Sequence, residues 1–249
     1  DQRTDKAVAV FIAPGLEEVE ALATVDILFR AGIPTTMISV TPERAVTSSH
    51  NIVVTCDLTL VEADLADYDM LILPGGIPGT PNLKAVEPLM AAVTERVRAG
   101  RPVAAICAAP SILAELGLLE GRRATSNPGF VGVLADHGAQ VSQAAVMTDG
   151  PVITSRGMGT AIDFGLEIVR HYLGEEAVEG RRRLLDARRD ARRVMRTLGG
   201  AIAHVRFLSL RSACPNPVRS PCAAPGSGCC AGGPPTPSAR RREAGRRCR

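Results

Sequence analysis

A chain of 249 residues, 45% of them hydrophobic, is long enough to bury one sizeable core; no apolar run approaches the length of a membrane span, and no positively charged start followed by an apolar block suggests a secretory signal. The net charge of +3 conceals two unlike parts: residues 1–180 hold 12 lysines and arginines against 23 acids, a net of −11, whereas residues 181–249 hold 17 arginines against 3 acids, a net of +14. Cysteine divides the same way, with Cys56 and Cys107 isolated in the acidic part and five in the basic part; this argues against a disulfide framework and for a reducing, cytoplasmic setting, with the nucleus or an organelle as alternatives.

The apolar run from Lys6 to Ala13 predicts a first strand. The spacing of Val19, Leu22, Ala23, Ile27 and Leu28 predicts a helix from Leu16 to Ala31, stopped by Gly32. Pro34 to Val40 reads as a second strand, Thr47 to Thr55 as a short hairpin, and Tyr68 to Leu73 as a buried strand ending in Pro74-Gly75-Gly76. A helix from Leu83 to Ala99 follows, then a strand from Val103 to Ile106, a short helix to Leu116 and another helix from Gly129 to His137. A turn at Asp149-Gly150, a strand from Val152 to Ser155 and a helix from Thr160 to Leu173 complete the series. Strands alternating with helices imply an α/β class, a doubly wound, mainly parallel sheet covered on both faces, whose ligand crevice lies at the carboxyl ends of the strands.

Three regions are expected: an α/β domain over residues 1–185, a basic amphipathic helical extension over 186–205, and a disordered Pro/Gly/Cys/Arg-rich tail over 206–249. The arginines of the tail carry enough charge to contact nucleic acid or anionic membrane, but it offers little aromatic surface for base stacking, and nothing else supports either contact. Its cysteines lack the histidine or second regular pair that would complete a metal site, and no metal ligands are assigned anywhere in the chain.

The stretch VAAICAAPSIL, residues 103–113, puts Cys107 where a buried strand gives way to a helix that Pro110 can open. Free backbone N–H groups and the positive end of a helix dipole there favour thiolate, which predicts a lowered thiol pKa. The alternative is a small buried hydrophobe. Three strand ends converge on the same crevice: Ala13-Pro14-Gly15 leading to Glu20, Pro74-Gly75-Gly76, and Cys107-Ala108-Ala109. Cys56, beside Asp57 and without a metal-ligand partner, reads as a structural or oxidisable surface thiol.

Four separated stretches, GLEEVEALATVDILFRAG (15–32), LPGG (73–76), AAICAAPSIL (104–113) and TSRGMGT (154–160), resemble in order and spacing the ThiJ/PfpI superfamily, and within it the parkinsonism-associated protein deglycase branch, related to glyoxalase III. The resemblance covers roughly residues 6–185 and implies a flavodoxin-like fold of the class I glutamine amidotransferase kind, a homodimer, and no metal or organic cofactor. It implies Cys107 as nucleophile and Glu20 as a protonated carboxylic acid bonded to the sulfur. Gly75, Gly76, Ala108 and Asn127 become oxyanion or substrate-binding positions, with the N–H groups of Gly76 and Ala108 as the oxyanion donors. Arg30, His50, Arg156 and Met158 become a pocket rim on the side of the dimer interface. Asn127 stands where many relatives carry a histidine, Ala109 where glycine is common, and Met158 where proline is common. Asparagine donates a hydrogen bond but does not shuttle a proton near neutral pH.

Two functions compete on these residues. One is a cysteine-dependent glyoxalase or deglycase acting on methylglyoxal-type dicarbonyls, or on their early adducts with protein amines and thiols. The other is a redox-sensing protective protein or chaperone in which the same thiolate is oxidised. A cysteine peptidase ranks lower, because Ala108 rather than a histidine follows the cysteine.

Overall fold

The computed structural model describes residues 4–185; the expected extension at 186–205 and tail at 206–249 lie outside the described residues. The elements run β1 (Val8–Ile12), α1 (Glu18–Arg30), β2 (Thr35–Ser39), β3 (Ala45–Thr47), β4 (Val53–Thr55), β5 (Leu58–Thr59), β6 (Met70–Leu73), α2 (Gly79–Lys84), α3 (Glu87–Arg98), β7 (Val103–Ile106), α4 (Pro110–Glu115), β8 (Arg123–Ala124), α5 (Val131–Asp136), β9 (Gln140–Val141), β10 (Val146–Asp149), β11 (Val152–Ser155) and α6 (Ala161–Leu185). The main sheet has the order β10-β11-β7-β6-β1-β2-β5. Every pairing in it is parallel except β10 with β11. The predicted hairpin forms as the antiparallel pair of β3 and β4.

Alternation along each strand sends side chains to two cores, one on each face. Val8, Val10, Ile12, Met70, Ile72, Ala104 and Ile106 pack with Ile27 and Leu28 of α1 and with Phe164, Ile168 and Val169 of α6. Ala9, Phe11, Leu71, Leu73, Val103 and Ala105 pack with Leu89 and Val93 of α3, Leu113 of α4 and Leu134 of α5. Both faces being covered explains why these strands read as unbroken apolar runs rather than alternating ones.

Pro88 divides the helix expected over Leu83 to Ala99. It has no N–H to bond back and its ring crowds the preceding turn, so α2 ends at Lys84 and α3 restarts at Glu87 with the proline in its first turn. The expected helix from Gly129 to His137 begins as a 3-10 turn at Pro128–Phe130 before α5. The predicted helix ending at Leu173 matches the break in α6, where Gly174 takes φ +80°.

The strand order reverses at β1. The chain runs outward through β2 and β5, then returns to lay β6, β7 and β11 on the other side. Such a switch point opens a crevice at the strands' carboxyl ends. The loops after β1, β6, β7 and β11 all meet there.

Candidate active site

Cys107 follows β7 directly and takes φ +65°. A non-glycine residue in the left-handed region costs on the order of 1–3 kcal/mol. The conformation is held from both sides: the Cys107 N–H donates to the Ser155 carbonyl at 2.9 Å, and its carbonyl accepts from the Asn127 N–H at 2.8 Å. α4 begins three residues later, and the N–H groups of Ala108 and Gly76 bond toward the sulfur.

Glu20 enters from the first turns of α1, 1% exposed. Its Oε2 accepts the Gly75 N–H at 3.0 Å, its side chain bonds Cys107, and the Met158 N–H bonds the same carboxylate. Gly75 makes this meeting possible. A Cβ there would lie 2.6 Å from Cys107 Cβ and 2.7 Å from Glu20 Oε2, closer than atoms pack. Gly76, at φ +100°, turns the chain so that its N–H faces the sulfur. Gly157 closes the other wall. A methyl group on its Cα would sit 3.6 Å from Glu20 Oε1, 3.7 Å from Asn127 Nδ2 and 3.8 Å from Cys107 Sγ, so three functional groups surround one methyl-sized space.

Burial raises the Glu20 carboxyl to about 7, with the Glu17 carboxylate adding to the rise and the hydrogen bonds from Cys107, Gly75 and Met158 opposing it. Burial also pushes the Cys107 thiol up to about 12, helped by the charge of Glu20 and the hydrogen bond to it, against the Ala108 and Gly76 N–H groups. The lowered thiol expected from the strand-to-helix turn therefore does not hold while Glu20 is ionised, because desolvation and a neighbouring anion outweigh two backbone dipoles. A protonated Glu20 removes the anion and offers an O–H to the sulfur. The two groups titrate as a unit sharing one proton.

Of the sequence-predicted residues, Cys107, Glu20, Gly75, Gly76, Ala108 and Asn127 meet in this crevice. Asn127 bends its Oδ1 back to accept the Gly129 N–H at 3.0 Å, leaving Nδ2 toward the space beside Gly157. Met158 stands at the mouth, 59% exposed. Arg30 does not reach the crevice within the chain. It lies at the far end of α1, ten residues or about 15 Å of helix rise from Glu20, and pairs with Asp26 at 2.7 Å. Arg156 turns its guanidinium away to the Gln143 carbonyl at 3.4 Å.

His50 lies not on the cysteine but on Glu18, its Nδ1 at 2.9 Å from Oε1. Burial raises the Glu18 carboxyl, yet its own backbone hydrogen bond, His50 and Ser48 outweigh burial and hold it below the usual carboxylate range; the hydrogen bond and charge of Glu18 in turn hold His50 above its usual value. Glu17, Glu18 and His50 bring three ligand-type atoms within 4.8 Å of one another, a grouping the sequence did not suggest. Cys56 is 3% exposed, so the surface-thiol expectation gives way to a buried one; burial and Asp57 push it up to about 11.

Residues 6–171 match the family model described as DJ-1/PfpI family. The chain belongs to the DJ-1/PfpI family. Protein dj-1beta of Drosophila melanogaster is 34% identical over 174 residues, covering 70% of this chain and 93% of that protein. The crystal structure of that DJ-1beta superposes with a TM-score of 0.69 at 33% identity, covering 73% of this chain and 98% of that one. Protein DJ-1 homolog A of Arabidopsis thaliana is 37% identical over 175 residues, which are 70% of this chain and 45% of that protein, so this chain spans less than half of that relative's length. A relative named Deglycase TK1284, from Thermococcus kodakarensis, is 33% identical over 126 residues, 50% of this chain and 75% of that protein. The family's flavodoxin-like fold matches the sheet order and the expected class. Among the described residues, no helix is long and apolar enough to cross a membrane.

Proposed function

We propose that the chain is a cysteine-dependent enzyme that needs no cofactor and converts methylglyoxal-type dicarbonyls, or their early adducts with amines and thiols, to hydroxy acids. The observation that carries this reading is the buried Cys107–Glu20 contact at the elbow, with the Asn127 amide and the side-chain-free Gly157 brought up beside the sulfur. That Deglycase TK1284 is a relative supports it.

The Cys107 thiolate adds to the aldehyde carbon, and the new alkoxide takes hydrogen bonds from the Gly76 and Ala108 N–H groups. Glu20, having given its proton to that oxygen, removes the hydrogen from the same carbon and returns it to the adjacent ketone carbon while the hydroxyl proton passes to the ketone oxygen, so one carbon is oxidised to the thioester carbonyl as its neighbour is reduced to the alcohol. The resulting thioester takes up water to release the hydroxy acid and the thiol. Overall, methylglyoxal and one water give lactate. Asn127 Nδ2 donates to the ketone oxygen and orients it, a binding role that asks for no proton transfer.

The decisive experiment follows methylglyoxal loss with lactate detection in wild type and Cys107→Ser. Lactate is expected from the wild type alone, and lactate from both variants removes Cys107 from the mechanism.

The second reading, a redox-responsive protein, draws on the same contact, since a protonated Glu20 can donate to an oxidised sulfur. Peroxide followed by mass spectrometry of the Cys107 peptide separates the two: a sulfinic acid without any dicarbonyl turnover favours the sensor. As partner we propose a second copy of the chain. Supporting it are Val19 and Leu22 of α1, Ile52 and Val53 at β4, and Met158 and Ile162 at the start of α6, apolar side chains between 37% and 62% exposed. A cytoplasmic location is part of the same proposal.

A further inference from the structure

The turn that closes the crevice, Gly157–Met158, is held by Thr160, through its N–H to the Gly157 carbonyl at 2.8 Å and through its side chain. Thr160 Oγ1 accepts the Gly157 N–H at 3.1 Å and lies 2.9 Å from the Gly157 carbonyl. It also lies 2.7 Å from Ser155 Oγ. The protons can be placed consistently. Ser155 Oγ donates to the Ala145 carbonyl at 2.9 Å, which also accepts the Arg156 N–H at 3.2 Å, so the proton in the short Thr160–Ser155 contact comes from the Thr160 hydroxyl, whose oxygen still accepts the Gly157 N–H. The backbone carbonyl of the same Ser155 receives the Cys107 N–H at 2.9 Å. One strand end, that of β11, thus ties down the cysteine elbow with its main chain and the opposite wall with its side chain.

That wall faces Glu20. Oε2 of the carboxyl is taken by Gly75, whereas Oε1 looks toward Gly157. Met158 is the first residue of a 3-10 turn whose N-cap is Gly157. Its N–H has no partner within the turn and bonds the Glu20 carboxylate. The charged or titratable groups facing Glu20 are Cys107 from the elbow and Glu17 from its own helix, and neither supplies a fixed N–H donor. Gly75 and Met158 do.

We propose that Thr160 is a positioning residue for the Cys107–Glu20 pair, its hydroxyl fixing the Gly157–Met158 turn so that the Met158 N–H stays on the Glu20 carboxyl. The proposal rests on the reading of Cys107 as the reactive group, and concerns what sets the reactivity of that group rather than which substrate it takes. Removing the hydroxyl leaves the Gly157 N–H without its acceptor and loosens the turn, which then keeps only the main-chain bond from the Thr160 N–H to the Gly157 carbonyl at 2.8 Å. An ionised Glu20 then loses a donor, so the proton it shares with Cys107 is held to higher pH.

The test is the rate of iodoacetamide alkylation against pH in the full chain, read at the Cys107 peptide by mass spectrometry so that the other cysteines do not contribute. Thr160→Val keeps the shape and deletes the hydroxyl. It should move the low-pH limb of the profile upward by roughly one pH unit, about what a lost hydrogen bond to a charged carboxylate is worth. Thr160→Ser, which keeps the hydroxyl and loses only a methyl, should restore the wild-type profile, an outcome that a purely packing role would not produce.

Met158→Pro deletes the donor itself at a position where proline is tolerated, the first of a helical turn, after a residue whose ψ of −164° is extended as a pre-proline residue requires. It should shift the profile in the same direction, and it decides the matter if Thr160→Val fails to fold. Profiles of Met158→Pro and Thr160→Val that coincide with wild type overturn the proposal, as does a Thr160→Ser profile displaced as far as the valine one. A wild-type Cys107 that resists alkylation at every pH instead overturns the parent reading of a reactive thiol.

Discussion

Replacing Gly75 by alanine tests the site where its parts are closest. The added methyl would lie 2.6 Å from Cys107 Cβ, 2.7 Å from Glu20 Oε2 and 2.9 Å from the Ile106 carbonyl oxygen. Carbon atoms in contact prefer about 3.5–4.0 Å, so the methyl overlaps three neighbours, two of them on the backbone or one bond from it. Overpacking of this kind costs about 1–3 kcal/mol. For a domain of this size that is a fall in Tm of about 2–12 °C, read by scanning calorimetry. The easiest relief moves the Glu20 carboxylate, the most flexible of the three, off the sulfur and off the Gly75 N–H. Alkylation of Cys107 should then lose its inflection near neutral pH, and lactate formation should fall with it. A Gly75→Ala variant with the wild-type Tm and an unchanged alkylation profile would refute the close approach on which the site is built.

Three further outcomes are expected. Because burial holds Glu20 near 7 in the folded chain against 4.5 as its ordinary value, the folded state binds the extra proton between those limits, so stability is greatest below pH 4.5 and falls as pH rises to 7 by up to about 3 kcal/mol; Glu20→Gln should flatten this part of a Tm-versus-pH series, and an equal slope in both proteins counts against burial of Glu20. Asn127→His should speed lactate formation by up to ~10²-fold with a titration near pH 6.5, at a stability cost of about 1 kcal/mol for the lost bond to the Gly129 N–H; a pH-independent change would point to altered binding instead. Val53→Glu, on a side chain 62% exposed at the edge of the hairpin, should convert a dimer to a monomer by light scattering, and an unchanged mass places the interface elsewhere.

The sequence carried the site further than it carried its electrostatics. Cys107, Glu20 and Gly76 were legible because each follows a buried strand, and strands of one doubly wound sheet end at one crevice. The sign of the thiol shift was not, since it depends on how far Cys107 and Glu20 are withdrawn from water, which spacing does not encode. Pro88 did signal the break between α2 and α3, outweighed by the apolar spacing on either side of it. β8 and β9 are two residues each, too short to hold a period. The pairing of Glu18 with His50 spans 32 positions and joins a helix to a hairpin turn, leaving no local trace. Gly157 and Thr160 lie inside the stretch TSRGMGT, but only the three-dimensional turn shows that one borders the sulfur and the other latches the turn.

The shared proton links the two functional readings more tightly than either links to a substrate. The forms with the proton on sulfur and with the proton on Glu20 carry the same net charge, so their ratio does not change with pH once the first proton has left the pair. Thiolate is then set by geometry: by how well Gly76, Ala108 and a protonated Glu20 donate to sulfur, against how well Gly75 and Met158 donate to an ionised Glu20. Weakening the second set moves the proton onto Glu20 and charge onto sulfur. It favours attack on an aldehyde and attack on peroxide alike. What separates the two is the product. A hemithioacetal must still lose a hydrogen from carbon to a Glu20 that has become a base again, whereas an oxidised sulfur needs Glu20 to remain a donor. A turn that holds the Met158 N–H on Glu20 therefore biases the site toward ionised Glu20 and turnover. A turn that lets go biases it toward protonated Glu20 and sulfur oxidation, so Thr160→Val should raise sulfinic acid formation relative to lactate formation, both measured on one sample.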